Sequence, residues 1–128
     1  RTHRMIIVGA GNIGRAVALS DSFPANGFET VAIFDSDAAK IGMNVGGLVV
    51  QDVEDLKRYL DENTVDIAVM AVPVSHAQRM VDALCERGVK GFWNFTNIEL
   101  SSQLPDVQFE NIHFADSLLT LSYRIANR

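Results

Sequence analysis

The sequence predicts a single α/β domain built on a doubly wound, mostly parallel sheet. Three observations carry that prediction. Short apolar runs recur without the apolar/polar alternation of a half-exposed strand, and the stretches between them switch to a helical period. A glycine-rich turn follows the first run directly, and an acid closes the second. Near-continuous apolar strands suit a sheet covered on both faces. Strand–helix alternation at this spacing reads as βαβ units with right-handed crossovers.

The elements follow in order. Met5-Ile6-Ile7-Val8 is the first run and ends at Gly9. Ile13, Ala16, Val17 and Leu19 then form a predicted inward stripe. Val31-Ala32-Ile33-Phe34 is the second run, closed by Asp35, and Asp37 reads as a helix cap. Leu48-Val49-Val50 is entered through Gly46-Gly47. Asp52 is placed to cap a helix from Val53 to about Glu62, with Val53, Leu56 and Leu60 inward. Ile67 to Val72 is the fourth run, stopped by Pro73. Ala77, Met80, Val81, Leu84 and Cys85 fall at i, i+3, i+4, i+7 and i+8, one buried stripe. Ser75 and Gln78 fit a capping box at the start of that helix, and Gly88 fits its C-terminal stop. Gly91 to Phe95 is the fifth run, and Val107-Gln108-Phe109 begins a sixth.

Asp116 to Asn127 is a candidate terminal helix, with Asp116 near its positive end and Arg124 near its negative end. Leu118, Leu119, Leu121 and Ile125 cover more than one narrow stripe. Two readings stay open: the helix packs on its own sheet, or it docks on a second subunit.

Composition sets the bounds. The 128 residues carry a net charge of −5, with 48% hydrophobic and 21% charged side chains. That length fits one domain, residues 1–128, and no separate substrate domain. The apolar fraction excludes disorder. No run approaches the ~18 residues of a membrane span, and no secretory pattern opens the chain. Cys85 stands alone, which excludes an internal disulfide and fits a reducing, cytoplasmic setting. An acidic chain lacks the footprint of a nucleic-acid binder. The start at Arg1, with no methionine before Met5, points to a fragment or a processed product.

Gly9-Ala10-Gly11-Asn12-Ile13-Gly14 is a GxGxxG motif. The pattern alone is weak, but here it joins a predicted strand to a predicted helix, as the chemistry demands. Gly9 permits the tight turn. Gly11 offers bare main chain to a diphosphate, and Gly14 lets helix and strand approach. The amides and dipole of the helix start favour an anion. Asp35 stands 21 residues after Gly14, at the end of the second strand, where a carboxylate accepts from a ribose diol and repels a 2′-phosphate. The cofactor expected is therefore NAD or NADH. Lys40 is within reach of the adenosine edge, or is simply solvated. In an open parallel sheet ligands lie beyond the carboxyl ends of the strands, which places Val72, Pro73, Asn94 and Phe95 near a nicotinamide or its ribose. Pro73 is equally well placed as a plain helix-entry residue.

Catalytic equipment is sparse. Tyr59 and Tyr123 are each followed four residues later by Asn, so neither opens a Tyr-x-x-x-Lys pair. His3 lies in the leading tail, His76 in a helix's first turn, and His113 has no acid partner in sequence. No His/Cys spacing suits a metal. The expected protein is a nucleotide binder and not an enzyme.

GAGNIGRA at 9–16, FDSDAAKIG at 34–42, the Gly46-Gly47 pair, AVPVSHAQRMVDAL at 71–84, GFWNF at 91–95 and ENIHFADSLLTLSY at 110–123 occur in that order. Together they resemble the NAD(H)-binding domain of the Rex family of redox-sensing transcriptional repressors, over nearly the whole chain. The resemblance implies a Rossmann domain that senses the NADH/NAD ratio. It implies a preceding winged-helix domain, absent from this chain, that binds operator DNA and is released by NADH. It also implies a homodimer that exchanges the terminal helix, 115–128. Gly9, Ala10, Gly11, Asn12, Ile13, Gly14, Asp35, Lys40, Val72, Pro73, Asn94 and Phe95 would contact the dinucleotide. Two departures stand out: Thr96-Asn97 follows Asn94-Phe95 where the family usually has Ala-Pro, and His113 stands where an acid is usual. The competing expectations are the nucleotide half of an NAD-dependent oxidoreductase and a CoA-binding module of the same architecture.

Overall fold

The computed structural model describes residues 2–112 and 121–126. Seven strands form one sheet: β1 (His3–Val8), β2 (Phe28–Asp35), β3 (Asn44–Val45), β4 (Leu48–Asp52), β5 (Ile67–Met70), β6 (Gly91–Asn94) and β7 (Gln108–Asn111). Their order is β3-β4-β2-β1-β5-β6-β7. All pairs are parallel except β3 with β4, a two-residue hairpin. With that hairpin set aside, the order is the doubly wound one, and strand order reverses between β1 and β5.

Alternation along β1 divides the core. Ile6 and Val8 face one layer with Phe34, Ala68 and Met70. Met5 and Ile7 face the other with Ile33, Val50 and Val69. Each of these side chains is essentially fully buried. The first layer is covered by α3 (Leu56–Glu62) through Leu56 and Leu60, and by α4 (Val74–Glu86) through Ala77, Val81, Leu84 and Cys85. The second is covered by α1 (Asn12–Ala18) through Val17 and Ala18, and by α2 (Ser22–Ala25) through Phe23.

Several local expectations hold. Asp52 accepts from the Glu54 N–H at 3.0 Å and starts a 3-10 turn, Val53–Asp55, that runs into α3. Gly88 takes a positive φ of 93°. Its N–H donates to Cys85 O and that of Val89 to Leu84 O, both at 3.1 Å, the double bond of a Schellman stop.

Other expectations are corrected. The buried stripe of α1 is Gly14 and Val17, while Ile13 and Leu19 are 37% and 60% exposed and Ala16 is also exposed. Ser75 and Gln78 make no capping box, because Pro73 holds the N-cap position without a side-chain bond. Gln78 instead clamps the loop below, giving Nε2 to Ser101 O at 2.8 Å and taking the Ser101 N–H at 3.2 Å. Asp37 accepts from Ala39 N–H at 2.9 Å and closes a turn, not a helix. The His113 position and most of the terminal helix lie outside the described residues. Within 121–126 the chain is helical, and Leu121, Tyr123 and Ile125 are 53%, 70% and 61% exposed, so this part is not covered by its own sheet.

Candidate functional site

Register brings the strand ends together. Val8 pairs with Phe34 on one side and Met70 on the other, and Met70 pairs with Asn94. The loops after β1, β2, β5 and β6 therefore leave one edge of the sheet, at the reversal of strand order where doubly wound domains bind ligands.

The glycines of the first loop play different parts. Gly9 takes φ +112°, and a Cβ there would lie 2.3 Å from Ala71 O and 3.2 Å from Val72 N. Only glycine lets the loop lie against the end of β5 in that conformation. A Cβ on Gly14 would lie 1.8 Å from Gly9 O, so the helix can pack on the loop only without one. Gly11 is unlike both. It sits at the N-cap of α1 with φ −77°, which any residue adopts. A Cβ there would meet only Lys40 Nζ, at 4.0 Å. Packing therefore does not require glycine at position 11. What glycine leaves there is open space over main chain, at a helix start with no capping side chain. The orphan amides of a first helical turn need an outside acceptor. A diphosphate fits that cradle.

Asp35 locks the loop from the β2 side. Its Oδ2 accepts from Ala10 N–H at 2.7 Å, and its Oδ1 from Asp37 N–H at 2.8 Å. Burial pushes its pKa up. Main-chain N–H bonds from Ala10, Asp37 and Ser36, with the Lys40 charge, outweigh that and hold the carboxyl below its ordinary value. Each carboxylate oxygen has room for another donor, so an anchored anion stands ready for a sugar diol. Lys40 brings a cation to the site: its charge acts on this carboxylate, and its Nζ lies 4.0 Å from where a Cβ on Gly11 would stand. The sequence left it either at the adenosine edge or simply solvated. Its approach to Gly11 depends on the turn through Asp37 to Met43, where Lys40 N–H donates to Asp37 O at 2.9 Å.

The far end is apolar. Val72 is half-buried against the α4 layer, and Phe95 packs in the other layer, 4.7 Å from the Trp93 ring centroid. Pro73 is exposed. Asn12 and Ile13 are exposed at the start of α1, and Asn12 Oδ1 accepts from Arg15 at 3.1 Å. Asn94 lies at the end of β6, beside the crevice, with its side chain turned inward. That side chain is fully buried and bonded to Thr96, Ile98 and Asn111.

A separate apolar cleft of about 530 Å3 lies over the second face of the sheet, lined by Met5, Phe23, Phe28, Ile67, Trp93 and Phe109 among others. It lies toward the starts of the strands, the end opposite the glycine loop, and has no anion-binding groups to rival it. Among the described residues no group of three or more His, Cys, Asp or Glu could hold a metal ion, and no helix is long and apolar enough to cross a membrane.

Comparison with known proteins is consistent with this geometry. A family profile described as CoA binding domain matches residues 1–98. The redox-sensing transcriptional repressor Rex of Caldicellulosiruptor saccharolyticus is 41% identical over 125 residues, 98% of this chain and 57% of that protein. The chain thus spans a little over half the length of the curated relatives it matches. The crystal structure of the Rex-family repressor RSP with β-NADH superposes with a TM-score of 0.90 and 39% identity, over 98% of this chain and 60% of that one. RSP with β-NAD+ and operator DNA gives the same TM-score and identity, over 98% of this chain and 58% of that one.

Proposed function

Because the chain belongs to the CoA-binding domain family and is a homologue of the Rex repressors over nearly its whole length, we propose that it is the NAD(H)-binding sensor part of a redox-responsive repressor. One observation carries the reading. Gly11 leaves a cradle that packing does not explain, Lys40 Nζ stands beside it, and Asp35 is anchored to the same loop at Ala10. These three features answer to a diphosphate, its charge and a ribose diol.

The bound dinucleotide would supply a ring that is positively charged when oxidised and neutral when reduced. Phe95, Val72 and Pro73 would edge the space for that ring and partly remove water from it. Desolvation costs a charged group more than a neutral one, so these side chains favour NADH. A hundredfold preference corresponds to ~2.7 kcal/mol, enough to bias a two-state dimer decisively. In this reading two copies associate through the C-terminal helix, whose described turns expose Leu121, Tyr123 and Ile125. Operator DNA is bound by a winged-helix domain outside the 128 residues, in the cytoplasm, and the acidic chain itself contacts no DNA.

Calorimetric titration with NADH, NAD+ and CoA tests the proposal. NADH is expected to bind well above NAD+, and CoA not at all. Equal affinities for the two redox forms reject the sensor while leaving a dinucleotide site. Binding of CoA alone transfers the cradle to the alternative that the family's description suggests. The oxidoreductase alternative has no support from the named relatives, which are repressors.

A further inference from the structure

We propose that Asn94, with Thr96 and Asn111, forms a positioning clamp that passes a change at the nicotinamide end of the crevice to the chain leaving β7. The inference rests on the dinucleotide-binding reading above. The Asn94 side chain is fully buried, and its amide uses all four of its hydrogen-bonding capacities. Nδ2 donates to Ile98 O and to Asn111 Oδ1, both at 2.7 Å. Oδ1 accepts from the Thr96 N–H at 2.8 Å and the Thr96 hydroxyl at 2.6 Å. The partners fix the amide's orientation. A main-chain N–H can only donate and a carbonyl can only accept, so Oδ1 faces Thr96 and Nδ2 faces Ile98. Asn111 must therefore present its oxygen to Asn94.

Main-chain bonds extend the clamp at both ends. Phe95 N–H donates to Met70 O at 2.9 Å, tying the clamp to the end of β5 and so to Val72 and Pro73. Ile112 N–H donates to Asn94 O at 2.9 Å. One side chain thus joins the end of β6, the loop that follows it and the end of β7. Phe95 lies between two of these ties on the crevice side. Ile112 lies at the opposite end, just past β7.

A buried amide cannot exchange a lost partner for water, and each unsatisfied group costs ~1–3 kcal/mol. The loop and the end of β7 therefore shift together. Two sites that bias one such element are coupled. A clamp that merely holds the fold would be the same in both ligand states, and this difference is measurable. Thr96 is part of the device: its hydroxyl supplies the second bond to Oδ1.

The test is hydrogen exchange by mass spectrometry on the full chain, free and saturated with NADH, with NADH affinity titrated for each variant. Asn111→Ala removes the acceptor from Asn94 Nδ2, and Asn111→Asp keeps one. NADH is expected to slow exchange at Ile112 and across 121–126 in the parent chain and in Asn111→Asp. That NADH-dependent difference is expected to vanish in Asn111→Ala while affinity stays within about threefold, ~0.6 kcal/mol. Persistence of the difference in Asn111→Ala overturns the clamp, as does its loss in Asn111→Asp. Should Asn111→Ala fail to fold, Thr96→Val takes its place, with Thr96→Ser as the variant expected to retain coupling and the same two outcomes decisive. NADH binding with no exchange change at Ile112 or 121–126 in the parent chain rejects the clamp alone. Absence of NADH binding rejects the functional reading beneath it.

Discussion

Replacing Gly11 with valine separates binding from folding, because the three loop glycines differ so sharply in what surrounds them. A side chain at Gly11 has φ −77° and only Lys40 Nζ within 4.0 Å of its Cβ. The expected folding cost is the N-cap difference, a few tenths to ~1 kcal/mol. It is partly offset by the ~0.4–1 kcal/mol gained when glycine's freedom in the unfolded chain is removed. The melting temperature should move by no more than a few degrees, since ~1 kcal/mol shifts a domain of this size by about 3–6 °C. Affinity should fall far more. The added methyl groups stand between a diphosphate and the main chain, and a hydrogen bond to a charged group is worth ~1.5–3 kcal/mol. Loss of one such bond weakens NADH about 10- to 150-fold. Gly14→Ala is the contrasting control. Its Cβ would lie 1.8 Å from Gly9 O, so α1 must move off the loop, at an overpacking cost of ~1–3 kcal/mol or more. NADH fluorescence titration and thermal melts on both variants complete the comparison. If Gly11→Val keeps its melting temperature and binds NADH as tightly as the parent, the cradle is not the phosphate site and the reasoning fails.

Asp35→Asn keeps the shape and loses the charge. NADH affinity is expected to drop about tenfold or more, and the preference over NADPH to narrow, since no carboxylate then repels a 2′-phosphate; titration of both nucleotides reads the two effects. The same carboxyl gives a pH prediction. Its folded pKa is depressed, so its stabilisation is complete above the unfolded value of ~3.9 and is lost as pH falls through the lower folded value. Melting temperature measured from pH 5 to pH 2 should fall less steeply in Asp35→Asn than in the parent. Leu121→Asp with Ile125→Asp should convert a dimer to a monomer in sedimentation velocity; a doubly substituted chain that still sediments as a dimer places the interface elsewhere.

Most of the sheet was legible because its strands are unusually apolar, and buried parallel strands need to be. The loop and Asp35 were legible because spacing alone fixes where they fall on a strand–turn–helix unit. The hairpin of β3 and β4 was missed although Gly46 and Gly47 both take positive φ, 60° and 91°, the requirement of a tight hairpin turn. A two-residue strand, Asn44–Val45, carries no period to read. Helix α2 is four residues long and contains Pro24, which is too short for a stripe.

The misreading of α1 has a more general cause. Hydropathy ranks Ile13, Ala16 and Leu19 as inward residues, yet Gly14 is what meets the sheet. Glycine adds no apolar side chain, but it sets the distance of closest approach. Once Gly14 lies against Gly9, Val17 and Ala18 follow it inward and Ile13 turns out. The loop that would hold a diphosphate therefore also dictates which face of its helix is buried. Asn94 shows the same principle in polar form. It shares a strand face with the buried Phe92, two residues before it, so alternation alone puts it inside. What alternation cannot supply is its partners. Asn111 arrives from a strand 17 residues away, and Thr96 from the turn beyond. A polar residue at the carboxyl end of a strand invites assignment to the ligand. Here the sheet register and these bonds hold it inside, and in the proposed clamp that placement links the crevice to the end of β7.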